Sequence, residues 1–214
     1  MNEFNLAETD KLLSTTRAVR KRLDFEKKVD LKVIYDCLEL AIQAPTGSNK
    51  QGWRWIVVTE QEVKKKLADI YRMGNSHYLE SGKMNASDQG ETQNERVFDS
   101  AIYLAENFER VPVLVVPCIE VKVPANMKST LSSALYGSII PAIWSFQLAL
   151  RSRELGSVYT TPHLEEPIKE LLEIPKDFIP VAFIPVAHTI GKKFKPAKRN
   201  PLKDVVFKNI WNNN

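Results

Sequence analysis

Three polar clusters gather the chemistry-bearing residues of this chain. The first is Thr16-Arg17-Ala18-Val19-Arg20-Lys21-Arg22, near the N-terminus. The second is Ala44-Pro45-Thr46-Gly47-Ser48-Asn49-Lys50-Gln51-Gly52-Trp53, and the third is Lys198-Arg199-Asn200-Pro201-Leu202. Arginines suit a phosphate, because a planar guanidinium makes bidentate charge-assisted hydrogen bonds. The amides and hydroxyls of the middle cluster suit a polar ligand edge. Taken singly, each cluster also reads as something plainer: a solvated basic face, a capped turn and a basic linker.

Other chemistries lack their residues. The chain of 214 residues has three His and two Cys. His77, His163 and His188 are too scattered for an HExxH or a His/Cys zinc set. Cys37 and Cys118 lie far apart in apolar runs, as buried free thiols do. The eight glycines never form GxGxxG, and neither a Walker A loop nor a GxSxG elbow is present. Glu165-Glu166 opens a helix, where acidic side chains favour the dipole. A net charge of +4 is mild, and its cations fall in short groups at 17–22, 64–66 and 192–199. That suits a compact phosphomonoester better than the continuous basic stripe that a nucleic-acid partner requires.

These clusters need elements to hold them. Asp30 is placed to cap a helix over 31–43, which ends at the Ala44-Pro45-Thr46-Gly47 turn. A strand is expected at 55–59, a charged helix at 60–71, a helix at 97–108 and a strand at 113–119. Residues 73–94, polar and weakly patterned, read as a lid or an inserted segment. Residues 129–150 carry no charge. Serines, Pro141 and Gln147 interrupt that run too often for a membrane span, so it reads as a helix buried on all sides, at the centre of the fold or across a subunit interface. Strands at 157–160 and 181–187 and a helix at 164–172 complete the pattern. The class is α+β or α/β, a small sheet covered by helices, in a single domain over 1–214. The apolar tail, 203–214, is suited to an arm on a second protomer. The polar, acidic start has no signal-peptide character, which points to the cytoplasm.

In this order and spacing the clusters resemble the FMN-dependent nitroreductase family, across nearly the whole chain. Residues 16–20 are similar to its basic RSxR-like segment and residues 44–53 to its APSGxNxQPW-like turn. The small-residue central helix, Leu155-Gly156-Ser157, Thr160-Thr161, Pro185-Val186-Ala187 and the late Arg199-x-Pro201-Leu202 continue the match. The resemblance implies an α+β fold with a mostly antiparallel sheet, an intertwined homodimer, and an FMN at each subunit interface. It implies that Arg17 and Arg199 bind the phosphate with Lys198 as a weaker contributor, and that Thr16 and the Ala18 N–H partly compensate for a missing guanidinium and hydroxyl. It also implies that Val19 is among the cofactor contacts and that Arg20 reaches the ring's N1/C2 edge. Pro45, Thr46, Gly47, Asn49 and Gln51 would line the ring, and Thr160 and Thr161 its far edge. NADPH or NADH would deliver hydride in ping-pong turnover to an electron-poor small molecule, a nitroaromatic or quinone. The rival on the same scaffold is a non-catalytic flavin-binding or storage protein.

Two positions depart from the family pattern: Thr16-Arg17-Ala18 replaces a doubled Arg followed by Ser, and Gly52 replaces a Pro. Acceptor identity is assigned to residues 73–94. The Glu, Tyr and Lys with which the family's deiodinase branch holds an amino-acid zwitterion have no assignment there.

Overall fold

The computed structural model describes residues 4–121 and 129–211. Its centre is β3 (Val113–Glu120), buried along nearly its whole length. Strand periodicity of two explains why an uninterrupted apolar run is needed there. Leu114, Val116 and Cys118 face one core, with Leu67, Tyr71, Phe108 and Phe183. Val113, Val115 and Ile119 face a second, with Ile34, Ile143 and Phe146. Each such side chain stabilises the fold by about 1.5–3 kcal/mol relative to exposure.

Every strand pairing among the described residues is antiparallel. The path runs β1 (Leu23–Asp24), β6 (Ile184–Thr189), β3 and β2 (Trp53–Val58), while β4 (Leu155–Ser157) pairs β6 and β5 (Phe178–Pro180) pairs β3. The strand expected at 181–187 starts later, as β6 at Ile184, and the unexpected β5 precedes it. β5 pairs the C-terminal half of β3, Cys118 opposite Pro180, and β6 its N-terminal half, Val113 opposite Val186. Thr160 lies outside β4 and is joined to the sheet by an isolated bridge to Phe183.

Asp30 caps α2 (Leu31–Ala41) as expected, accepting from the Lys32 N–H. Asn5 does the same for an unanticipated helix, α1 (Leu6–Thr15). The largest difference lies at 73–94. The charged helix does not stop at 71: α3 (Gln61–Asp88) runs on for 28 residues, turns at Gly90 and returns as α4 (Thr92–Glu106). Leu67, Tyr71, Asn75, Leu79 and Ala86 form the buried stripe that its polar composition conceals. Gly82 lets the two helices close, since a Cβ there would sit 2.4 Å from the Phe98 ring.

The charge-free run is also two helices, α5 (Ser129–Gly137) and α6 (Ile140–Ser152). Pro141, which has no N–H to donate, occupies the first turn of α6, where it is tolerated. By length and apolarity the combined run could cross a membrane. Within one chain it is not buried on all sides. The α6 face bearing Ile143, Phe146 and Leu150 packs in the second core, whereas no α5 residue is buried. Leu131, Tyr136, Ile140 and Trp144 are exposed, so this apolar face needs cover that one chain lacks.

α7 (Glu165–Leu171) follows β4. In the tail, Phe207 packs on Trp211 at 4.9 Å, and Leu202, Ile210 and Trp211 are exposed. Residues 212–214 of the expected arm lie outside the described residues. Both cysteines are free and buried. Burial pushes the Cys37 thiol up and that of Cys118 up to about 12.

Candidate functional site

The chain leaves α1 at Thr16 and is anchored twice before it reaches Arg20. The Thr16 hydroxyl donates to Leu12 O at 2.6 Å, so its proton is committed to the helix end. Val19 is buried and gives its N–H to Ser157 O at 2.9 Å. Gly156 permits that approach, because a Cβ there would lie 2.7 Å from Thr189 and 3.1 Å from Val19.

Arg22 then acts as a clamp. It donates to the carbonyls of Ile190 and Gly191 at 2.8 Å each and of Lys193 at 3.0 Å. Its guanidinium covers the Phe194 ring at 3.9 Å, and Arg151 lies 4.7 Å from the same ring. The pinned segment brings Lys193 and Lys195 beside Arg17, which donates to Lys195 O at 3.2 Å. Together they line a cavity of about 480 Å³ with Arg20, Lys21 and Arg22, and no carboxylate lines it. Lys21 is paired with Asp99. Arg17, Lys193 and Lys195 have no acidic partner among the described residues.

Arg20 also faces an adjoining cavity of about 390 Å³, whose walls include Tyr71, Asn75, Phe98, Thr160 and Thr161. Its one hydrogen bond among the described residues is a long one, 3.4 Å to Ser100 Oγ. Burial lowers the Arg20 pKa, with Tyr71 opposing, yet an arginine stays charged. A half-buried cation so poorly partnered is a receptor for an electron-rich group. Beside it Tyr71 Oη and Thr160 Oγ1 are 2.8 Å apart, and burial raises the Tyr71 pKa.

Asn75 supplies the opposite polarity. Its Nδ2 donates to Tyr71 O at 2.9 Å, which fixes the amide's orientation. No hydrogen bond to its Oδ1 occurs among the described residues, and Asn75, only 3% exposed, lines the cavity. Sequence reasoning missed Asn75 because it assigned residues 73–94 to a lid or insert. Lys193 and Lys195 lay in a basic group already noted, but nothing local marked them over Lys198 and Arg199.

The middle cluster lies elsewhere, against α5. Gly47 N–H donates to Ser138 Oγ at 3.0 Å, Gln51 N–H to Thr46 Oγ1 at 3.2 Å, and Gln51 Nε2 to Asn49 Oδ1 at 3.2 Å. Ser48, Asn49 and Gln51 hold φ of 53°, 51° and 49°, a concentration of left-handed backbone that is uncommon without glycine. Thr46, Gly47 and Lys50 line a pocket of about 240 Å³ with Leu131 and Leu135. Pro45 is exposed. None of these residues lines the Arg17 or Arg20 cavities.

Of the predicted set, one chain therefore brings Arg17, Ala18, Val19, Arg20, Thr160 and Thr161 together. It keeps Thr46, Gly47, Asn49 and Gln51 apart from them. Lys198 and Arg199 are exposed, Arg199 donates to Lys198 O at 3.1 Å, and neither lines the Arg17 cavity. Other charged residues are structural. Lys64 is buried and donates to Val111 O at 2.7 Å, and Arg72 bridges Asp69 and Glu109. No group of metal-ligating side chains occurs among the described residues.

Comparison with known proteins gives the family and the fold. Residues 13–188 match the Nitroreductase family. An iodotyrosine deiodinase from Thermotoga neapolitana is 24% identical over 197 residues, 92% of this chain and 95% of that protein. The crystal structure of an oxidised iodotyrosine deiodinase bound to FMN and 3-iodo-L-tyrosine superposes with a TM-score of 0.69 at 20% identity, covering 92% and 96% of the two chains. A nitroreductase family protein from Streptococcus pneumoniae gives a TM-score of 0.69 at 19% identity, covering 94% and 99%.

Proposed function

Because the chain belongs to the Nitroreductase family, we propose that it is an FMN-dependent oxidoreductase, working as a homodimer, that passes electrons from NADPH or NADH to an electron-poor small molecule. The observation that carries this reading is the Arg20 cavity. It offers a donor cation and, from Asn75 Oδ1, an acceptor on the same lining. The pyrimidine edge of a flavin ring presents the complement, an N–H between two carbonyls. Arg17, unpaired in the adjoining basic cavity, suits the FMN phosphate.

Bound FMN supplies hydride acceptance from the donor and hydride donation to the acceptor in two separate half-reactions. The chain's own residues bind and orient. Arg20 stabilises negative charge that accumulates at the ring edge on reduction. The rigid α3–α4 pair forms a wall of the cavity, keeping donor and acceptor on one course. Nitroaromatics and quinones fit an acceptor role that needs no nucleophile from the protein.

The homodimer follows from what one chain leaves incomplete. The exposed apolar face of α5 and α6 adjoins the strained 46–51 loop. A second copy covering that face would set the loop against the other chain's Arg20 cavity, uniting the two halves of the predicted set. The 203–214 arm, with Ile210 and Trp211 exposed, serves the same contact.

The absorbance spectrum of the purified protein, followed by anaerobic titration with NADPH, tests the reading. A flavin spectrum that bleaches within seconds supports the enzyme. A flavin that never bleaches with either donor leaves the binding or storage protein, and a colourless chain that fails to bind added FMN removes both.

A further inference from the structure

The basic cavity holds more positive charge than one phosphomonoester neutralises. A phosphate carries about −1.5 to −2 near pH 7. Arg17, Arg20, Lys193 and Lys195 all line the cavity without an acidic partner among the described residues. Lys21 shares Asp99 with Lys83, which stands 3.2 Å from it, and Arg22 is spent on backbone carbonyls. With Arg20 turned to the ring edge, Arg17, Lys193 and Lys195 together still exceed the charge of one phosphate. The two lysines flank Phe194, whose ring is held by Arg22 and Arg151, on a backbone pinned at Ile190, Gly191 and Lys193. A flexible surface tail would need no such clamp. The clamp holds the backbone that carries both exposed lysines, so less backbone order is lost when an anion arrives.

We propose that Lys193 and Lys195 form a second anion subsite that takes the 2′-phosphate of NADPH and makes NADPH the preferred donor over NADH. This rests on the flavin reading above. The two donors differ by that single phosphomonoester, and the cavity of about 480 Å³ has room for a second phosphate beside the first.

The test uses the FMN-loaded protein. NADPH should exceed NADH in kcat/KM by about 30-fold or more, and the Lys193→Gln/Lys195→Gln variant should bring the ratio within about threefold, the loss falling on NADPH. Raising salt from about 50 to 300 mM should depress NADPH efficiency more than NADH efficiency. Independently of turnover, calorimetric titration of the oxidised protein should show 2′,5′-ADP binding about tenfold or more tighter than 5′-AMP, with the gap lost in the double variant. Equal use of the two donors overturns the proposal. So does a double variant that loses FMN while the donor ratio stands, because the lysines would then serve the cofactor's own phosphate. A protein that binds no flavin sinks the underlying reading instead, which the visible spectrum distinguishes before any donor is added.

Discussion

The Arg17–Arg22 region and the 44–52 loop hold the two halves of one predicted site, and they are built in opposite ways. The first is assembled from distant sequence by side chains. Arg17 meets Lys195 across 178 positions, and Arg22 grips three carbonyls of the 190–193 segment. Within one chain it already forms a basic cavity with an adjoining polar one. The second is assembled locally by backbone. Its hydrogen bonds run from 51 to 46 and 49, its strain sits in three left-handed residues, and its outer contact is to α5, a helix with no buried residue. A half-site that ends on an uncovered apolar helix is complete only when something covers it.

Placing charge on that helix face is the severest way to break the contrast. Trp144→Glu with Tyr136→Glu should convert the proposed dimer to monomer in light scattering and strip FMN on gel filtration, whereas a monomer retaining FMN at full affinity would show that the Arg17 half suffices alone. Next in size, Arg17→Ala should weaken FMN binding by about 1.5–3 kcal/mol, the worth of hydrogen bonds to a charged group, with Arg199→Ala costing less than half of that. Fluorescence titration measures both, and the reverse order would move the phosphate to residues 198–199. Arg20→Ala should lower the flavin's reduction potential more than its affinity, read by dye-linked titration.

Smaller effects test the scaffold. Gly82→Ala should cost about 1–3 kcal/mol in urea unfolding, because the new methyl meets the Phe98 ring and α3 must part from α4. An unchanged midpoint would mean that the helix pair closes by other contacts. The smallest effect is at Glu109. Burial works against its charge, but the Arg72 hydrogen bond outweighs that and holds its carboxyl below the ordinary range. Its stabilisation is therefore full above the unfolded pKa of about 4.3 and fades as pH falls through the folded value. The wild-type advantage over Glu109→Gln, below about 1 kcal/mol for a pair so near the surface, should shrink toward pH 3.

What could be read from the sequence was what neighbouring residues decide. Asp30 before an apolar helical stripe, the apolar run of β3, and the order of the three clusters all led to the right architecture. The continuation of α3 past Tyr71 was not legible, because its glycines look like breakers until Phe98 and His163 are known to press on them. Within the site, Arg17 and Arg20 were found by type and spacing. Asn75 was hidden inside a segment assigned to no element, and its significance comes from Tyr71 holding its amide one way round. Lys193 and Lys195 were passed over for Lys198 and Arg199 because only the long-range grip of Arg22 separates the two pairs. The split of the site into two regions is a property of three dimensions, and nothing in local composition announces it.

The buried thiols have a consequence for the protein's lifetime. Reduced flavins leak electrons to oxygen, so a flavin working as proposed would bring peroxide close to the chain. Peroxide attacks thiolates, and a thiol that burial pushes up to about 12 presents very little thiolate at pH 7. Cys118, buried within the sheet, is thereby chemically silent, and Cys37 is shifted in the same direction. The architecture that gives β3 its two apolar faces thus also shields the one thiol of the central strand from oxidants.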